Sequence, residues 1–299
     1  MSVALQNLVA NQNETSNRIG QLFWYIIAES QTHQNVVRKS FLESGLPEKY
    51  KLPSIRAVDA YRRASKSIEK KVTVGDQKIE LLVRDVWRNK DEVVRHIVVE
   101  TRDVNGRRLS YDPKAAMLRF DHNYKSVDTE VYLWEPYISE AVKTFRTNFG
   151  TYLDTYDGAA KRRVVYSVLS DLAATALKES GGVYLIPRQH EDLLFQLVAF
   201  ISGLPSCRAY RMPVEDTAEA RDMVRDVVTN KAELTMKEIR AMLQAEQVTD
   251  ETVQSLLQRA KTVRSEVALY QDILKESIGT LETDVELLEA QMMQLVEQL

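Results

Sequence analysis

The side chains that most often carry chemistry are sparse in this sequence and stand apart from one another. Its four histidines are His33, His96, His122 and His190, and no two of them have the spacing that places a pair of ligands on one helix face. The single cysteine, Cys207, excludes an internal disulfide framework and a cysteine-rich zinc site. Signatures of phosphate-binding loops, serine hydrolases and zinc proteases are missing. We therefore expect no metal, no cofactor and no catalytic residue.

One short segment is where a small ligand could bind. Gly181-Gly182 follows a helical pattern and precedes a strand, which is the reverse of the order in a phosphate-binding loop. Tyr184, Arg188 and Tyr210 lie near the ends of the α/β segment that follows, where ligands of α/β proteins often bind. Packing against helices explains the aromatic residues equally, and no small-molecule substrate can be identified.

The most concentrated basic surface lies on residues 54–70, which have helical spacing. Val58, Tyr61, Ala64 and Ile68 recur on one face of this predicted helix. The other face could contact the phosphates of a nucleic acid, although a solvated helix face is the more common explanation. Its basic residues are Arg56, Arg62, Arg63, Lys66 and Lys70.

Residues 72–133 change from helical to strand-like patterns. Segments rich in β-branched residues alternate with turn sequences, of which Asn105-Gly106 is a strong hairpin signal. Short strands joined by tight turns predict an antiparallel meander that helices cover on one side. Arginines could line its exposed face beside Trp87 and Tyr111, as in several single-strand binders, but alternation places charges outward on any half-buried sheet. The arginines are Arg84, Arg88, Arg95, Arg102, Arg107, Arg108 and Arg119, and we select Arg107 and Arg108 as nucleic-acid contacts.

Helical patterns flank the meander. Residues 3–44 have helical spacing, and Gly45 would end that helix. Residues 136–180 also appear helical in pattern. After them, a strand at 183–186, a helix at 190–201 and a strand at 207–212 predict a βαβ unit with two parallel strands.

The last stretch, residues 253–299, has the strongest periodicity in the chain. Its apolar residues recur in alternating steps of three and four, the heptad pattern of a coiled coil. A step of four from Leu274 to Ile278, beside Gly279, predicts a stutter. A continuous helix here would be about 70 Å long and must pair with a helix of another copy or fold back on the helix that begins at Asp216. The seam residues are Leu256, Val263, Val267, Leu274, Ile278, Leu281, Val285, Leu288, Met292 and Leu295.

Together these patterns predict an α+β fold with a helical N-terminus, an antiparallel β-meander, a small βαβ unit and a long C-terminal coiled-coil helix. The corresponding segments are a helical N-terminal segment (1–70), the meander (71–135), a helical and βαβ unit (136–230), and a helical hairpin with the coiled coil (231–299). A content of 44% apolar and 28% charged residues suits a folded chain with a proper core.

The net charge of −3 conceals an asymmetry. Residues 1–150 carry 24 Lys and Arg against 19 Asp and Glu, a net of +5, and residues 151–299 carry 16 against 24, a net of −8. The basic half is compatible with nucleic-acid binding, although such proteins usually show a stronger excess. The N-terminus lacks the basic start and apolar run of a signal peptide, so we expect a cytoplasmic protein without membrane association.

Two motifs carry a resemblance to a known family. Gly45-Leu46-Pro47 is followed by Pro53 and by Asp59-Ala60-Tyr61-Arg62-Arg63-Ala64, and a second motif runs from Ser180 to Pro187 through Gly-Gly-Val-Tyr-Leu-Ile. In these residues, the chain resembles an uncharacterised family encoded by phages and mobile elements of bacteria. The resemblance spans most of residues 40–230. It implies a phage-infected or bacterial host cell and transfers no catalytic residue.

Three functions are compatible with these patterns. The first is a non-enzymatic, self-associating interaction or adaptor protein, assembled as a homo-oligomer or with a partner helix through the C-terminal helix. The second is a nucleic-acid-binding protein that uses the basic residues of the N-terminal half. The third is an enzyme of a type that the sequence does not reveal.

Overall fold

A computed structural model describes residues 18–75, 77–103, 106–178, 182–243 and 250–274 and the single positions 283, 286 and 290. It confirms an α+β fold whose strands pair antiparallel. The chain divides into two compact units, each of which draws on several of the four predicted segments. Unit 1 comprises residues 1–28, 40–50 and 162–299, and unit 2 comprises residues 29–39 and 51–161.

The helices and strands have the following bounds. The helices are α1 (Gln34–Ser44), α2 (Ala57–Lys66), α3 (Pro136–Asp154), α4 (Gly158–Asp171), α5 (Glu191–Ser202), α6 (Ala218–Leu243) and α7 (Asp250–Leu274). The strands are β1 (Arg18–Ile26), β2 (Thr32–His33), β3 (Lys70–Val74), β4 (Gln77–Arg88), β5 (Glu92–Arg102), β6 (Arg108–Asp121), β7 (Ser126–Val131), β8 (Thr155–Tyr156), β9 (Thr175–Ala176), β10 (Tyr184–Pro187) and β11 (Arg208–Glu215).

Unit 2 contains the predicted meander. Strands β3 to β7 form a five-stranded antiparallel sheet in sequence order. Helices α2 and α3 pack on one face, where the rings of Tyr61, Phe120 and Phe145 meet inside the apolar core. The Tyr61 hydroxyl donates to the carbonyl of Leu118 at 2.9 Å, which satisfies a polar group that burial would otherwise leave without a partner.

Buried polar side chains fasten the short β2–β8 pair within unit 2. The Lys161 ammonium group is fully buried and donates to the Ser30 carbonyl at 2.9 Å and to the Thr32 hydroxyl at 3.1 Å. Arg63 of α2 donates to the Thr155 carbonyl at 3.3 Å. These bonds connect the small strand pair to the first turn of α4 and to α2.

Unit 1 is built around a four-stranded sheet in the order β11, β1, β10, β9. Strand β1 is antiparallel to both β10 and β11, so those two strands are parallel to each other, as the βαβ pattern predicts. They are not neighbours, however, because β1 lies between them. The crossover through α5 therefore spans one intervening strand, and the strands form a sheet separate from the meander.

The prediction of a helical N-terminus is wrong for residues 18–26, which form β1; residues 1–17 lie outside the described part. The misleading signal is the spacing of Ile19, Leu22, Phe23 and Ile26, which fits a helix. A central strand has neighbours on both faces, so its apolar run lacks the alternation of a half-exposed strand. Later in that segment α1 and α2 are helical, and α1 ends directly before Gly45 as predicted, where the glycine has a left-handed φ of 72°.

Helices cover both faces of the unit 1 sheet. On one face α5 packs beside α1, where Phe41 and Phe200 meet edge to face with ring centres 6.3 Å apart. The buried Ser40 hydroxyl donates to the carbonyl of Phe200 at 2.7 Å. On the other face, Ile19, Leu185 and other sheet residues share an apolar core with α6 and α7.

Helices α6 and α7 form an antiparallel hairpin. Polar contacts join the two helices along their length. In successive pairs the residue number rises on α6 and falls on α7, as expected for antiparallel helices. The pairs are Arg221 with the Leu274 carbonyl at 2.8 Å, Lys231 with Glu266 at 2.6 Å, and Glu238 with Arg259 at 2.7 Å. Helix α7 therefore folds back on α6, the helix after Asp216, as one of the two predicted alternatives has it.

The prediction of one long C-terminal rod is wrong. Leu256, Val263, Val267 and Leu274 of the predicted seam are buried in the core that α7 shares with α6 and the sheet. Arg264 also pairs with Glu286 at 2.6 Å, whereas a continuous helix would separate two residues 22 positions apart by about 33 Å. The chain therefore reverses direction between Leu274 and Glu286. The remaining seam residues, Ile278, Leu281, Val285, Leu288, Met292 and Leu295, lie outside the described part of the chain.

Candidate nucleic-acid interface

The meander of unit 2 has one face opposite α2 and α3, which we call the open face. Strand alternation assigns side chains to it, because Ile97 and Val99 lie in the core shared with the helices, so that Glu100 and Arg102 point away. Tyr132 and Trp134, directly after β7, alternate in the same way with core residues. The residues that we group as the open-face cluster are Lys78, Glu100, Arg102, Arg108, Tyr111, Lys114, Tyr132 and Trp134.

A row of three cationic residues crosses the open face from strand to strand. Lys78 of β4 is paired with Arg102 of β5, and Arg102 is paired with Arg108 of β6. Residues paired directly across antiparallel strands have β-carbons about 5 Å apart. Like charges this close repel each other unless an anion lies between them or binds to them.

Glu100 supplies such an anion for two members of the row. One of its carboxylate oxygens accepts from Arg108 Nε at 2.8 Å and pairs with Arg102 Nη2 at 2.9 Å. The side chain of Glu100 is only 7% exposed, whereas those of Arg102 and Arg108 are 44% and 59% exposed. The bond from Arg108, supported by the charge of Arg102, lowers the pKa of Glu100 below its ordinary value. Glu100 thus holds both guanidinium groups in place, and both side chains remain largely exposed.

Aromatic rings lie beside these cations. The Arg108 guanidinium is 5.4 Å from the ring centre of Tyr111, and the Lys114 ammonium is 4.1 Å from that of Tyr132. Tyr111 is 49% exposed, Tyr132 38% and Trp134 81%. Exposed aromatic rings next to cations offer a stacking surface and a phosphate contact in one place.

Carboxylates also occupy this face, and several of them have partners. Glu80 pairs with Lys71 at 3.5 Å, Glu130 accepts from the Tyr132 hydroxyl at 2.7 Å, and Glu100 holds the two arginines. The same alternation adds Arg84, Arg119, Glu92, Asp121 and Asp128 to this face, so with Lys71 and the cluster's four basic residues seven cations face six carboxylates. The local excess is positive but small.

The basic residues predicted on the first helical segment lie on the other side of the sheet. Arg56 and Arg62 both pair with Asp59, at 2.7 and 3.2 Å, and Lys66 pairs with Glu69. Lys70 is exposed at the start of β3. The structure therefore does not bring these residues together with Arg107 and Arg108, which lie at the start of β6 and just before it.

Arg63 of the same helix is held by contacts to other residues of unit 2. Besides its bond to Thr155, its guanidinium donates to the Gln31 side chain at 3.1 Å, pairs with Asp157 at 3.3 Å and lies 4.5 Å from the ring centre of Tyr152. These four contacts hold α2 to neighbouring segments of unit 2. They leave Arg63 less available to a ligand than an exposed arginine.

Several members of the open-face cluster were missed by the sequence-based selection. Lys78, Lys114, Tyr132 and Trp134 were not selected, and Glu100 was assigned no role. The alternation of Glu100 and Arg102 along β5, combined with the hairpin register that Asn105-Gly106 implies, carries the signal that could have found the cationic row. Trp134 follows the last strand and has no such signal.

The other residues considered for chemistry do not converge. Tyr184 stacks on Tyr25 with ring centres 6.4 Å apart, while Tyr210 stacks on Trp24 at 5.5 Å. Tyr184 and Tyr210 point to opposite faces of the unit 1 sheet, because their register partners on β1 are the adjacent residues Phe23 and Trp24. They therefore do not form one ligand site with each other.

Within the described ranges, no three His, Cys, Asp or Glu side chains form a group that could hold a metal ion. Burial lowers the pKa of His96 and of His190. Cys207 is buried, and its sulfur accepts from the backbone N–H of Ala28 at 3.4 Å. Across the same ranges, no helix combines the length and the apolar character that crossing a bilayer would require.

Comparison with known proteins identifies the family. Residues 18–299 match a family of unknown function, DUF6744, and the chain belongs to it. The match extends well beyond the residues 40–230 that the two short motifs suggested. No curated protein and no solved structure matches the chain.

Proposed function

We propose that this protein is a non-enzymatic nucleic-acid-binding protein and that the open face of unit 2 is its binding surface. The observation that carries the proposal is the row of Lys78, Arg102 and Arg108, in which Glu100 holds two largely exposed guanidinium groups side by side. Arginine and lysine groups arranged in this way are suited to the phosphates of a polynucleotide backbone.

The distribution of charge between the units supports the same conclusion. Unit 2 carries 23 Lys and Arg against 18 Asp and Glu, a net of +5, and unit 1 carries 17 against 25, a net of −8. A polyanion is attracted to unit 2 and repelled by unit 1. An excess of +5 also implies binding of moderate strength that added salt weakens.

Self-association through the C-terminal helix is the less favoured candidate. Leu256, Val263, Val267 and Leu274 make up the described part of the predicted seam, and all four are buried against the protein's own α6 and sheet. Their apolar surface is therefore already used within one chain. A phage or mobile-element setting and a cytoplasmic location are further proposals, and the two short motifs support the first of them.

The experiment is a titration of the purified full-length chain with fluorescently labelled oligonucleotides over a range of salt concentrations. Each phosphate neutralised on a single strand contributes about −0.7 to the slope of log K against log salt, so three cations predict a slope of about −2. The Lys78→Ala/Arg102→Ala/Arg108→Ala variant should bind much more weakly and with a shallower slope.

A variant with the same change of charge on α2 serves as the control. Arg56→Ala/Arg62→Ala/Lys66→Ala removes three cations from the opposite side of the sheet and should leave affinity nearly unchanged. If the α2 variant loses binding while the open-face variant keeps it, the open face is not the site. If the unaltered chain binds neither DNA nor RNA at low salt, the proposed function is wrong.

A further inference from the structure

We infer that the open face takes single-stranded nucleic acid and that unpaired bases stack on Tyr111, Tyr132 and Trp134. This inference rests on the proposed function and adds the form of the ligand. It follows from the position of the three rings beside the cations, which a surface for phosphates alone does not need.

The rings are accessible from solvent. Trp134 is the most exposed of the three, and Tyr111 and Tyr132 each keep more than a third of their surface in water. Large aromatic side chains on a surface carry a hydrophobic cost that stacking a base would relieve. The base faces needed for this contact are covered by neighbouring pairs in a duplex and free in a single strand.

The cations lie where the backbone of such a strand would pass. Arg108 lies over the ring of Tyr111 and Lys114 over the ring of Tyr132, at 5.4 and 4.1 Å from the ring centres, so a base would stack on the opposite face of each ring. A nucleotide has its base and its phosphate a few ångströms apart, so a ring paired with a cation can receive both parts of one nucleotide. The two pairs therefore provide for two nucleotides, and Trp134 provides a third stacking surface.

The architecture of the meander is also suited to a single strand rather than to a duplex. Reading the major groove needs a helix or a two-stranded ribbon that projects into it. The helices that pack on the meander, α2 and α3, lie on its other face. Antiparallel sheets with helices behind and aromatic residues in front are one established way of displaying unpaired bases to a protein.

Stacking and phosphate contacts do not distinguish RNA from DNA, so the experiment has an arm for each. Full-length protein is titrated with a labelled mixed-sequence single strand of DNA, the same sequence in RNA, and the corresponding DNA duplex. Both single strands should bind, and the duplex should bind at least tenfold more weakly at the same salt concentration.

Variants of the aromatic residues test the stacking contact directly. Trp134→Ala and Tyr132→Ala should each weaken single-strand binding about 5- to 150-fold, which converts a stacking free energy of about 1–3 kcal/mol per base at 1.4 kcal/mol per tenfold. Trp134→Phe and Tyr132→Phe keep the ring and should retain most of the affinity. The salt slope should stay unchanged in all four variants, since none of them removes a cation.

Tyr124→Ala is the matched control, because Tyr124 is a highly exposed tyrosine in the turn between β6 and β7, outside the open-face cluster. It should bind as the unaltered chain does. All variants are checked by thermal unfolding, which should change little at such exposed positions. Equal affinity for duplex and single strand, with no effect of Trp134→Ala and Tyr132→Ala, would overturn this inference and leave the proposed function standing. Absence of any nucleic-acid binding would overturn both.

Discussion

Arg264 and Glu286 form an ion pair with a nitrogen–oxygen distance of 2.6 Å, although 22 positions separate them in sequence. In one uninterrupted helix they would be about 33 Å apart. The pair therefore excludes a single straight rod over the last fifty residues and places position 286 alongside α7. The heptad pattern that predicts the rod is compatible with this arrangement, because an apolar stripe does not specify which helix will cover it.

A distance measurement tests this reversal. Spin labels are attached at Arg264→Cys and Glu286→Cys in a Cys207→Ala background, which removes the native thiol. The distance between them should be far shorter than that in a continuous helix, which is about 33 Å. The fold should survive the substitutions because an exposed ion pair contributes less than about 1 kcal/mol. A single distance population near 33 Å would show that the rod exists.

Burial of the seam within one chain makes a second prediction. Leu256→Ala should lower the free energy of unfolding by about 2–5 kcal/mol, because a fully packed leucine leaves a cavity when truncated. Leu234→Ala on α6, where the leucine is exposed, should cost no more than about 0.5 kcal/mol. Both values come from denaturant unfolding. A midpoint that rises with protein concentration would instead indicate that a second copy covers the seam.

Two glycines, Gly20 in β1 and Gly150 in α3, give a third prediction. A β-carbon at Gly20 would lie 2.1 Å from the carbonyl oxygen of Ile186, so Gly20→Ala must push β1 and β10 apart and should destabilise unit 1. Gly150 lies within α3 and has no atom within 4 Å of an added β-carbon. Gly150→Ala should therefore stabilise the protein by about 0.5–1 kcal/mol. Thermal unfolding of both variants checks the opposite signs, and equal effects would contradict the close approach at Gly20.

The carboxylate of Asp171 makes stability depend on pH. It accepts from Lys49 at 2.6 Å and from the Tyr50 hydroxyl at 2.7 Å, and these bonds, that of Lys49 first, lower its pKa. A lowered folded-state pKa stabilises the protein above the ordinary aspartate value of about 3.9, and that contribution is lost as the pH falls through the folded-state pKa.

Asp171→Asn should consequently be less stable than the unaltered chain at pH 7, by no more than about 1 kcal/mol for a partly exposed group. The difference should shrink as the pH falls below about 3.9. Denaturant unfolding at a series of pH values measures it. Asp222→Asn, which removes a more exposed partner of Arg225, is the control, and a difference for Asp171→Asn that grows towards low pH would refute the prediction.

The meander is predictable from sequence because its signals are local. Turn residues such as those around Gly106 separate its strands, and β-branched residues are concentrated along β5 between those turns. The register follows from short hairpins. The cationic row needs no information beyond that register, and its residues could therefore have been selected in advance.

Strand β1 and the C-terminal reversal are not predictable in this way. Phe23 is buried between strands that come more than 160 residues later, and nothing near it in sequence distinguishes a central strand from an apolar helix. The spacing pattern alone does not distinguish a continuous helix from a chain that returns, and the pairing of Arg264 with Glu286 separates the two.

The position of β1 has a consequence for synthesis of the chain on the ribosome. Arg18 of β1 cannot pair with Glu215 of β11 until Glu215 has been synthesised. At ordinary elongation rates that takes about 10–40 s. All of unit 2 is translated during that interval, and its meander pairs only sequence-adjacent strands, so it can fold first. The nascent β1 strand lacks both of its partner strands in the meantime, so its unpaired backbone and apolar side chains are open to wrong contacts.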